Sequence, residues 1–241
     1  RAPHYAVKDF NSDGRLDIVF LTEAFGSSSG TGAAIALGND SGGFNQQTQI
    51  FLSSGAEFVS ALAVNDFNVD GKLDLAMTSG SGSGGKVLIS FGDGAGRFGA
   101  SASYTVSDGA FSIAIGDFNG DGKPDVSAAA PTSGKVAVLL NKGAGDLDAP
   151  KTISLTQFNS VAALAASDFN GDGKDDLAII DSYQQMVTLI GDGSGGFGAP
   201  TSQTIPYGAE FVMAGDFTGD GKNDVAVATN NVVSLRVGNG G

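Results

Sequence analysis

Short apolar segments of four to six residues recur along the chain and are separated by turns rich in Gly, Ser and Asp. Strands of this length between turn residues, with no helical apolar period, are typical of an all-β protein. Each repeat contains a strand of small residues and then two more apolar strands. The predicted first strands lie at 60–64, 112–115, 161–165 and 211–214. The second strands lie at 16–21, 73–78, 125–130, 177–180 and 225–229, and the third strands at 33–37, 86–91, 135–140, 186–190 and 232–237.

A nine-residue loop lies between the first and second strands of every repeat. Four copies, starting at residues 9, 66, 117 and 168, begin Asp-Phe-Asn, and a fifth copy at 216 begins Asp-Phe-Thr. The copies start 48 to 57 residues apart, which matches one four-stranded blade of a β-propeller. We therefore predict a single propeller domain over residues 1–241, with blades at approximately 1–54, 55–107, 108–157, 158–206 and 207–241.

The packing of the predicted blades follows from residue size. The small residues of the first strand suit the innermost position, where strands converge on the propeller axis. The Phe after the first Asp of each loop is expected to pack between blades; these residues are Phe10, Phe67, Phe118, Phe169 and Phe217. We expect five blades of about four antiparallel strands, with the last blade lacking its outer strand. Because an open ring would leave apolar faces bare, we expect the ring to close.

The charge of the chain is concentrated in these loops. The chain carries 26 acidic and 13 basic residues, and fifteen of the acidic ones are Asp at the first, fifth and ninth loop positions. A net charge of −13 disfavours nucleic acid, because it repels phosphate. The absence of Cys excludes disulfides and thiolate metal sites. No apolar run of membrane-spanning length occurs, so no membrane insertion is expected.

The loops carry the donor set that calcium prefers, which is six to eight oxygens from carboxylates, carbonyls and water. Positions one, three, five and nine offer side-chain oxygens, position seven offers a backbone carbonyl, and Gly at position six permits a tight turn. We expect up to five calcium ions, with the fifth loop weakest because Thr218 replaces Asn. The expected ligands are Asp9, Asn11, Asp13, Arg15 and Asp17; Asp66, Asn68, Asp70, Lys72 and Asp74; Asp117, Asn119, Asp121, Lys123 and Asp125; Asp168, Asn170, Asp172, Lys174 and Asp176; and Asp216, Thr218, Asp220, Lys222 and Asp224.

Two other interpretations of the loops are open to test. An EF-hand shares the first nine positions but needs a bidentate Glu at position twelve. Here position twelve is always apolar, which excludes that motif; the residues are Phe20, Met77, Ala128, Ile179 and Val227. The other interpretation is that the loops are ordinary Asp/Gly turns without metal, and five copies in register argue against it.

With these loops, the Phe-Gly at 91–92, the Phe-Gly-Ala-Pro at 197–200 and the Ala-Pro at 149–150, the chain resembles FG-GAP/VCBS repeats over residues 5–237. Such repeats form the calcium-bearing blades of integrin α-subunit propellers and occur in secreted bacterial proteins and some fungal lectins. Integrin-like propellers have seven blades, whereas five are visible here. The resemblance implies calcium in the loops on one face, with ligands at the opposite face or in clefts between blades.

These observations favour a secreted binding, adhesion or scaffold module in which calcium is structural, because calcium is abundant outside the cell. Its partners would be glycans or extracellular proteins. A carbohydrate-binding propeller lectin is the alternative, and exposed aromatic residues could serve as its sugar platforms; the candidates are Phe25, Phe158, Tyr183 and Tyr207. A designed or excised propeller fragment without its own ligand is a further alternative, since the chain starts at Arg1 without Met.

Catalysis has little support in the sequence, and we expect no enzyme. The lone histidine, His4, supplies no nucleophile–base–acid set. Only three Glu residues occur, and two of them recur in the same Gly-Ala-Glu-Phe context, at Glu57 and Glu210. That recurrence is typical of a repeated turn before the first strand, which is the favoured interpretation. The more specific alternative is that Glu57 and Glu210 make a polar contact on the face opposite calcium. A polysaccharide-active enzyme is therefore the least favoured alternative.

Overall fold

The computed structural model describes residues 5–22, 32–45, 48–50, 59–80, 84–106, 110–130, 133–156, 158, 160–181 and 183–238. All regular structure in this part of the chain is β, as expected. No helix among these residues has the length and apolar character that a membrane crossing requires.

Within the described residues, nineteen strands form five antiparallel sheets in which neighbours along the chain are also neighbours in space. The first blade contains β1 (Tyr5–Lys8), β2 (Asp17–Thr22), β3 (Gly32–Ala36) and β4 (Thr48–Ile50); the second contains β5 (Val59–Asn65), β6 (Asp74–Ser79), β7 (Gly85–Ser90) and β8 (Ala102–Val106). The third contains β9 (Ser112–Gly116), β10 (Asp125–Ala129), β11 (Lys135–Leu139) and β12 (Lys151–Ser154). The fourth contains β13 (Ala163–Ser167), β14 (Asp176–Ile180), β15 (Gln185–Leu189) and β16 (Thr201–Thr204). The fifth has three strands, β17 (Phe211–Gly215), β18 (Asp224–Ala228) and β19 (Val233–Arg236).

This architecture confirms the predicted five-bladed propeller with a three-stranded last blade. The first and second strands of every blade share one register, because the ninth loop residue always pairs with the residue before the loop. In the third blade, for example, Gly116 pairs with Asp125, and in the fifth Gly215 pairs with Asp224. Each nine-residue motif is therefore the connection of a β-hairpin at the same end of its blade.

The core consists of four apolar clusters, and each one lies between two consecutive blades. The loop Phe residues take part as predicted in the first four blades, where Phe67 and Phe118 are fully buried and Phe10 and Phe169 nearly so. The exception is Phe217 in the fifth blade, which is 48% exposed. It has no following blade to cover it among the described residues.

The structure does not show the expected closure of the ring. No apolar cluster among the described residues joins the fifth blade to the first. Instead, Tyr5 and Val7 of β1 and Met213 and Val233 of the fifth blade are exposed. Exposed apolar residues therefore lie on both the first and the fifth blade.

Candidate metal loops

The backbone of every loop is curled by two left-handed residues. The glycine at position six has φ of +83° at Gly14 and +84° at Gly221, and a Cβ there would meet no atom within 4 Å. Glycine is therefore required by the backbone conformation and not by lack of space. The residue at position four is also left-handed, including Ser12 at 58° and Val69 at 60°, and this second left-handed position was not predicted from the sequence.

Inside the curl of the first four loops, the side-chain oxygens of positions one, three and five accept hydrogen bonds from the loop backbone. In the second loop, the two Asp66 oxygens accept the N–H groups of Asp70 and Gly71, at 3.0 and 2.7 Å. Asn68 Oδ1 accepts the same Asp70 N–H at 2.9 Å, and Asp70 Oδ1 accepts the Lys72 N–H at 3.0 Å. The side-chain oxygens that were predicted to bind metal therefore face the interior of the loop.

The ninth-position Asp is fully buried in all five blades, and it joins two separate turns. Asp125 Oδ2 accepts the N–H of Phe118 at 2.9 Å, while its Oδ1 accepts the N–H of Asn141 at 2.7 Å. Asn141 opens the turn after the third strand of the blade. The same two bonds recur at Asp17, Asp74, Asp176 and Asp224. This Asp is a structural clamp, a role that the sequence interpretation as a metal ligand missed.

A sequence signal for this clamp exists in the residue that donates the second bond. It is Gly in four blades, at 38, 92, 191 and 238. A Cβ on Gly92 would lie 2.2 Å from the carbonyl oxygen of Leu73 in the loop. The recurring Gly therefore records a close approach between the loop and the turn after the third strand.

Burial of the clamp shifts its ionisation. Burial, together with the negative charges of Asp121 and Asp117, raises the pKa of Asp125 to about 6. Burial likewise raises the pKa values of Asp74 and Asp176. Burial is the main cause of these shifts, and the negative charges of neighbouring loop carboxylates add to it, a contribution that a bound cation would offset.

Position eight links neighbouring loops across the blade seam. Asp175 Oδ2, in the fourth loop, accepts the N–H of Asp117 in the third loop at 2.7 Å. Asn223 Nδ2, in the fifth loop, donates to the carbonyl of Asp168 in the fourth at 3.2 Å. These bonds connect the third loop to the fourth and the fourth loop to the fifth. The position of Asp175 could not be predicted from its sequence context.

The donor chemistry of the loops fits a hard divalent cation, since every offered ligand is oxygen. Three or more acidic or His side chains do not gather into a ready-made metal cluster anywhere in the described residues. The carboxylate oxygens of the ninth-position Asp already accept backbone N–H groups. The basic side chain at position seven forms a salt bridge with the fifth-position Asp, as in Lys123 to Asp121 at 2.7 Å. The residues that would hold the ion are therefore positions one, three and five with the carbonyl of position seven, and position nine where its carboxylate has a remaining lone pair.

Of the aromatic residues predicted as sugar platforms on the face opposite the loops, two are exposed as expected. Tyr183 and Tyr207 are 61% and 69% exposed. Phe158, in contrast, is 4% exposed and packs in the core between the third and fourth blades, so its prediction as a sugar platform is wrong. The N–H of Glu210 donates to the carbonyl of Ala228, in keeping with the turn interpretation. Phe25, Glu57 and His4 lie outside the described residues.

A cleft of about 260 Å³ lies between the fourth and fifth blades. Its walls combine apolar side chains, including Met186 and Phe169, with the polar groups of Gln203, Asn223 and Arg236. The Arg236 guanidinium donates to the Thr204 carbonyl at 2.9 Å and the Ser234 hydroxyl at 2.8 Å. Sequence reasoning missed this cleft, because its walls come from two different repeats.

The segments that contain the loops also identify the protein family. The FG-GAP-like repeat profile matches four times, at residues 9–77, 66–128, 117–179 and 168–227, and each match runs from one loop past the next. Together the matches span most of the chain. The chain belongs to the FG-GAP-like repeat family. No curated protein sequence matches it.

Solved structures of other propellers resemble this FG-GAP-like protein in fold. A lectin of Agrocybe aegerita, described as recognising non-reducing terminal N-acetylglucosamine, is 18% identical with a TM-score of 0.63, covering 98% of this chain and 66% of its own. BBS1N, solved in complex with ARL6DN, is 15% identical with a TM-score of 0.59, covering 97% and 79%. A rhamnogalacturonan lyase of Bacillus licheniformis is 16% identical with a TM-score of 0.58, covering 99% and 49%. The chain thus spans slightly less than two thirds of the lectin and about half of the lyase, and the likenesses show the fold alone.

Proposed function

We propose that this FG-GAP-like propeller is a secreted binding or scaffold module whose five loops each bind one calcium ion in a structural role. The observation that supports this most is the repetition of one donor layout in five loops, each tied to its blade by a buried Asp clamp. Ordinary turns would not need three Asp residues in each of five copies. The proposed partners are glycans or extracellular proteins, and we assign no catalytic role to the chain.

The proposed role of calcium follows from the loop electrostatics. A bound divalent ion would offset the negative charges of the first and fifth Asp residues, which in the third loop raise the pKa of the clamp Asp125. The chain's own contribution is to orient the oxygens through the curl and to hold the curl against the turn after the third strand. Because binding to the folded state alone stabilises it, each loop saturated at a hundred times its dissociation constant contributes about 2.7 kcal/mol. Extracellular calcium modules bind at about 0.1 to 1 mM, which favours a secreted protein.

Thermal unfolding in a calcium chelator and in excess calcium tests this proposal. We expect the melting temperature to fall by about 10 °C or more in chelator, because about 1 kcal/mol corresponds to about 2 to 4 °C in a domain of this size. Magnesium should restore less than calcium, since it demands a tighter octahedral site. Equal melting temperatures in chelator and calcium would contradict the proposal.

Asp66→Ala and Asp192→Ala form a matched pair for the same experiment. The Asp66 carboxylate accepts the N–H groups of Asp70 and Gly71 within its loop curl. The Asp192 carboxylate accepts those of Ser194 and Gly196 in a similar turn that is not one of the nine-residue loops. Asp66→Ala should lower the number of bound calcium ions by one in isothermal titration calorimetry. Asp192→Ala should leave that number unchanged.

Carbohydrate binding is the second candidate function, and the cleft between the fourth and fifth blades favours it. The cleft offers a guanidinium, three side-chain amides and apolar walls, a mixture that suits a polar ligand with apolar ring faces. Glycan-array binding that is lost in Arg236→Ala but kept in Tyr183→Ala and Tyr207→Ala would assign the site to the cleft. The reverse pattern would assign it to the exposed tyrosines. A blank array would leave the scaffold role as the better proposal.

A further inference from the structure

The backbone N–H of the first loop residue finds its acceptor in different places in the second and third loops. In the second loop, the preceding residue Asn65 accepts the Asp66 N–H on its own Oδ1, at 2.9 Å. In the third loop the preceding residue is Gly116, which has no side chain, and Asp175 of the fourth loop accepts the Asp117 N–H at 2.7 Å. The third loop therefore receives from the next blade a contact that the second loop makes locally.

The backbone before the third loop leaves space for this contact. A Cβ on Gly116 would lie 2.9 Å from both Asp175 Oδ2 and the ring of Phe118, so a larger residue there would displace one of the two side chains. Asp175 is partly buried in the seam. A hydrogen bond from a backbone N–H to a carboxylate is also stronger than one between neutral groups. The contact is thus a packed feature of the seam between the third and fourth blades.

The place of Asp175 in the chain connects it to both proposed calcium loops. It lies between Lys174, whose carbonyl is an expected ligand of the fourth loop, and the clamp Asp176. Across the seam it holds the backbone of Asp117, whose Oδ2 accepts the N–H of Gly122 at 2.7 Å inside the curl of the third loop. An ion that fixes the fourth-loop backbone would therefore also fix the acceptor that the third loop uses.

We propose that Asp175 is a positioning residue that couples calcium binding in the third loop to calcium binding in the fourth. This inference rests on the proposed calcium role of the loops and adds that these two sites do not fill independently. Ordering the contact between Asp175 and Asp117 costs conformational freedom, and the first ion bears that cost, so the second ion binds more tightly. Because coupling is reciprocal, each ion raises the affinity for the other by the same factor, which we expect to be about tenfold.

Calcium titration followed by amide NMR tests the coupling one loop at a time. The N–H of the position-six glycine bonds to the first Asp of its own loop, as in Gly122 to Asp117 and Gly173 to Asp168, both at 2.7 Å. Each of these glycine resonances therefore reports the occupancy of its own loop, and the calcium concentration at its midpoint measures the affinity.

A variant that empties one loop shows the coupling in the other. Asp172→Asn removes a ligand charge from the fourth loop but keeps an oxygen acceptor for the N–H of Lys174. The Gly122 midpoint should then rise about threefold, the square root of the coupling factor for two loops of similar affinity. Asp121→Asn in the third loop should raise the Gly173 midpoint by the same factor.

Substitutions of Asp175 itself separate its positioning role from a general effect on the fold. Asp175→Ala removes the acceptor, so emptying the fourth loop should no longer change the Gly122 midpoint. Asp175→Asn keeps an oxygen acceptor and should retain most of the coupling. The Gly14 midpoint, in the first loop, should stay the same in both variants, which shows that the fold is intact.

The first and second loops form the matched control pair. Position eight of the second loop is Leu73, whose side chain cannot accept a hydrogen bond, so Asp70→Asn should leave the Gly14 midpoint nearly unchanged. This pair has a comparable repulsion between neighbouring ions, so the difference between the two pairs isolates the effect of Asp175. Glycine resonances that do not respond to calcium in any loop would overturn the calcium role together with the coupling. A Gly122 midpoint that responds to calcium but not to Asp172→Asn, or that shifts equally when Asp175 is Ala, would overturn the coupling alone.

Discussion

The third and fifth loops share a sequence motif and a hydrogen-bond pattern, yet they differ in their surroundings. In the third loop, Phe118 is fully buried and the clamp Asp125 lies in the protein interior, where burial raises its pKa to about 6. In the fifth loop, Phe217 is half exposed and the pKa of Asp224 is lowered, mainly by the hydrogen bond from the Gly238 N–H. The motif therefore determines the hydrogen bonds of the clamp Asp, while the surrounding structure determines whether its pKa is raised or lowered.

Removing the clamp should show the largest difference between the two loops. Asp125→Ala leaves the N–H groups of Phe118 and Asn141 without their acceptor in the interior, where each lost bond costs about 1 to 3 kcal/mol. The corresponding bonds of Asp224 are only partly buried. We expect Asp125→Ala to lower the free energy of unfolding by about 2 to 5 kcal/mol, and Asp224→Ala by less than half as much.

Urea unfolding in chelator measures this comparison without a contribution from bound metal. Asn in place of Asp at either position keeps one oxygen acceptor and serves as the conservative control. Equal losses for the two Ala variants would show that the uncovered blade protects its clamp as well as the interior blades do.

The next largest difference between the third and fifth loops should appear in the pH dependence of the free energy of unfolding of the metal-free protein. The folded-state pKa of Asp125 is raised above its usual 3.8 to about 6, so between these values the folded state binds a proton that the unfolded state releases. The free energy of unfolding then increases as the pH falls from about 7 to about 4, and this stabilisation is lost as the pH rises through 6. The raised pKa values of Asp74, Asp175 and Asp176 act in the same direction. Asp224, with its lowered pKa, does not contribute in this window.

Melting temperatures at a series of pH values in chelator check this sign. We expect the melting temperature to rise by a few degrees from about pH 7 to about pH 5. Asp125→Asn should flatten the rise, and Asp224→Asn should leave it unchanged. A melting temperature that falls steadily with acidification in the wild type would contradict the assignment. Excess calcium should suppress the rise, because the ion favours the ionised carboxylates.

The sequence predicted the features that repeat, because each repeat is an independent copy of the same local chemistry. Strand order, the loop Phe packing and the glycine at position six all follow from patterns within one repeat. The clamp role of Asp125, the bond from Asp117 to Asp175 and the cleft at Arg236 were not predicted. These features join segments of different turns or repeats, and apart from the recurring Gly that accompanies the clamp, a pattern within one repeat carries no information about such contacts.

The smallest expected effect concerns the third loop position, where Asn119 and Thr218 differ. Asn119 Oδ1 accepts the N–H of Asp121 at 3.0 Å, inside the curl. The Thr218 hydroxyl instead bonds to the clamp Asp224 and lowers its pKa, so it does not supply the same contact to the curl. Thr218→Asn should restore that contact, which is worth about 0.5 to 1.5 kcal/mol, and should tighten calcium binding at the fifth loop severalfold.

The reciprocal change, Asn119→Thr, is the matched control and should weaken the third loop by a similar factor. Terbium luminescence titration of each variant against the wild type reads the affinity of the altered loop, and calcium competition confirms the site. The two substitutions should move affinity in opposite directions, because Asn119→Thr exchanges an oxygen that reaches into the curl for one that bonds to the clamp, and Thr218→Asn makes the reverse exchange. Unchanged affinity in both variants would assign the weakness of the fifth loop to its uncovered blade face, which would then outweigh the third-position residue.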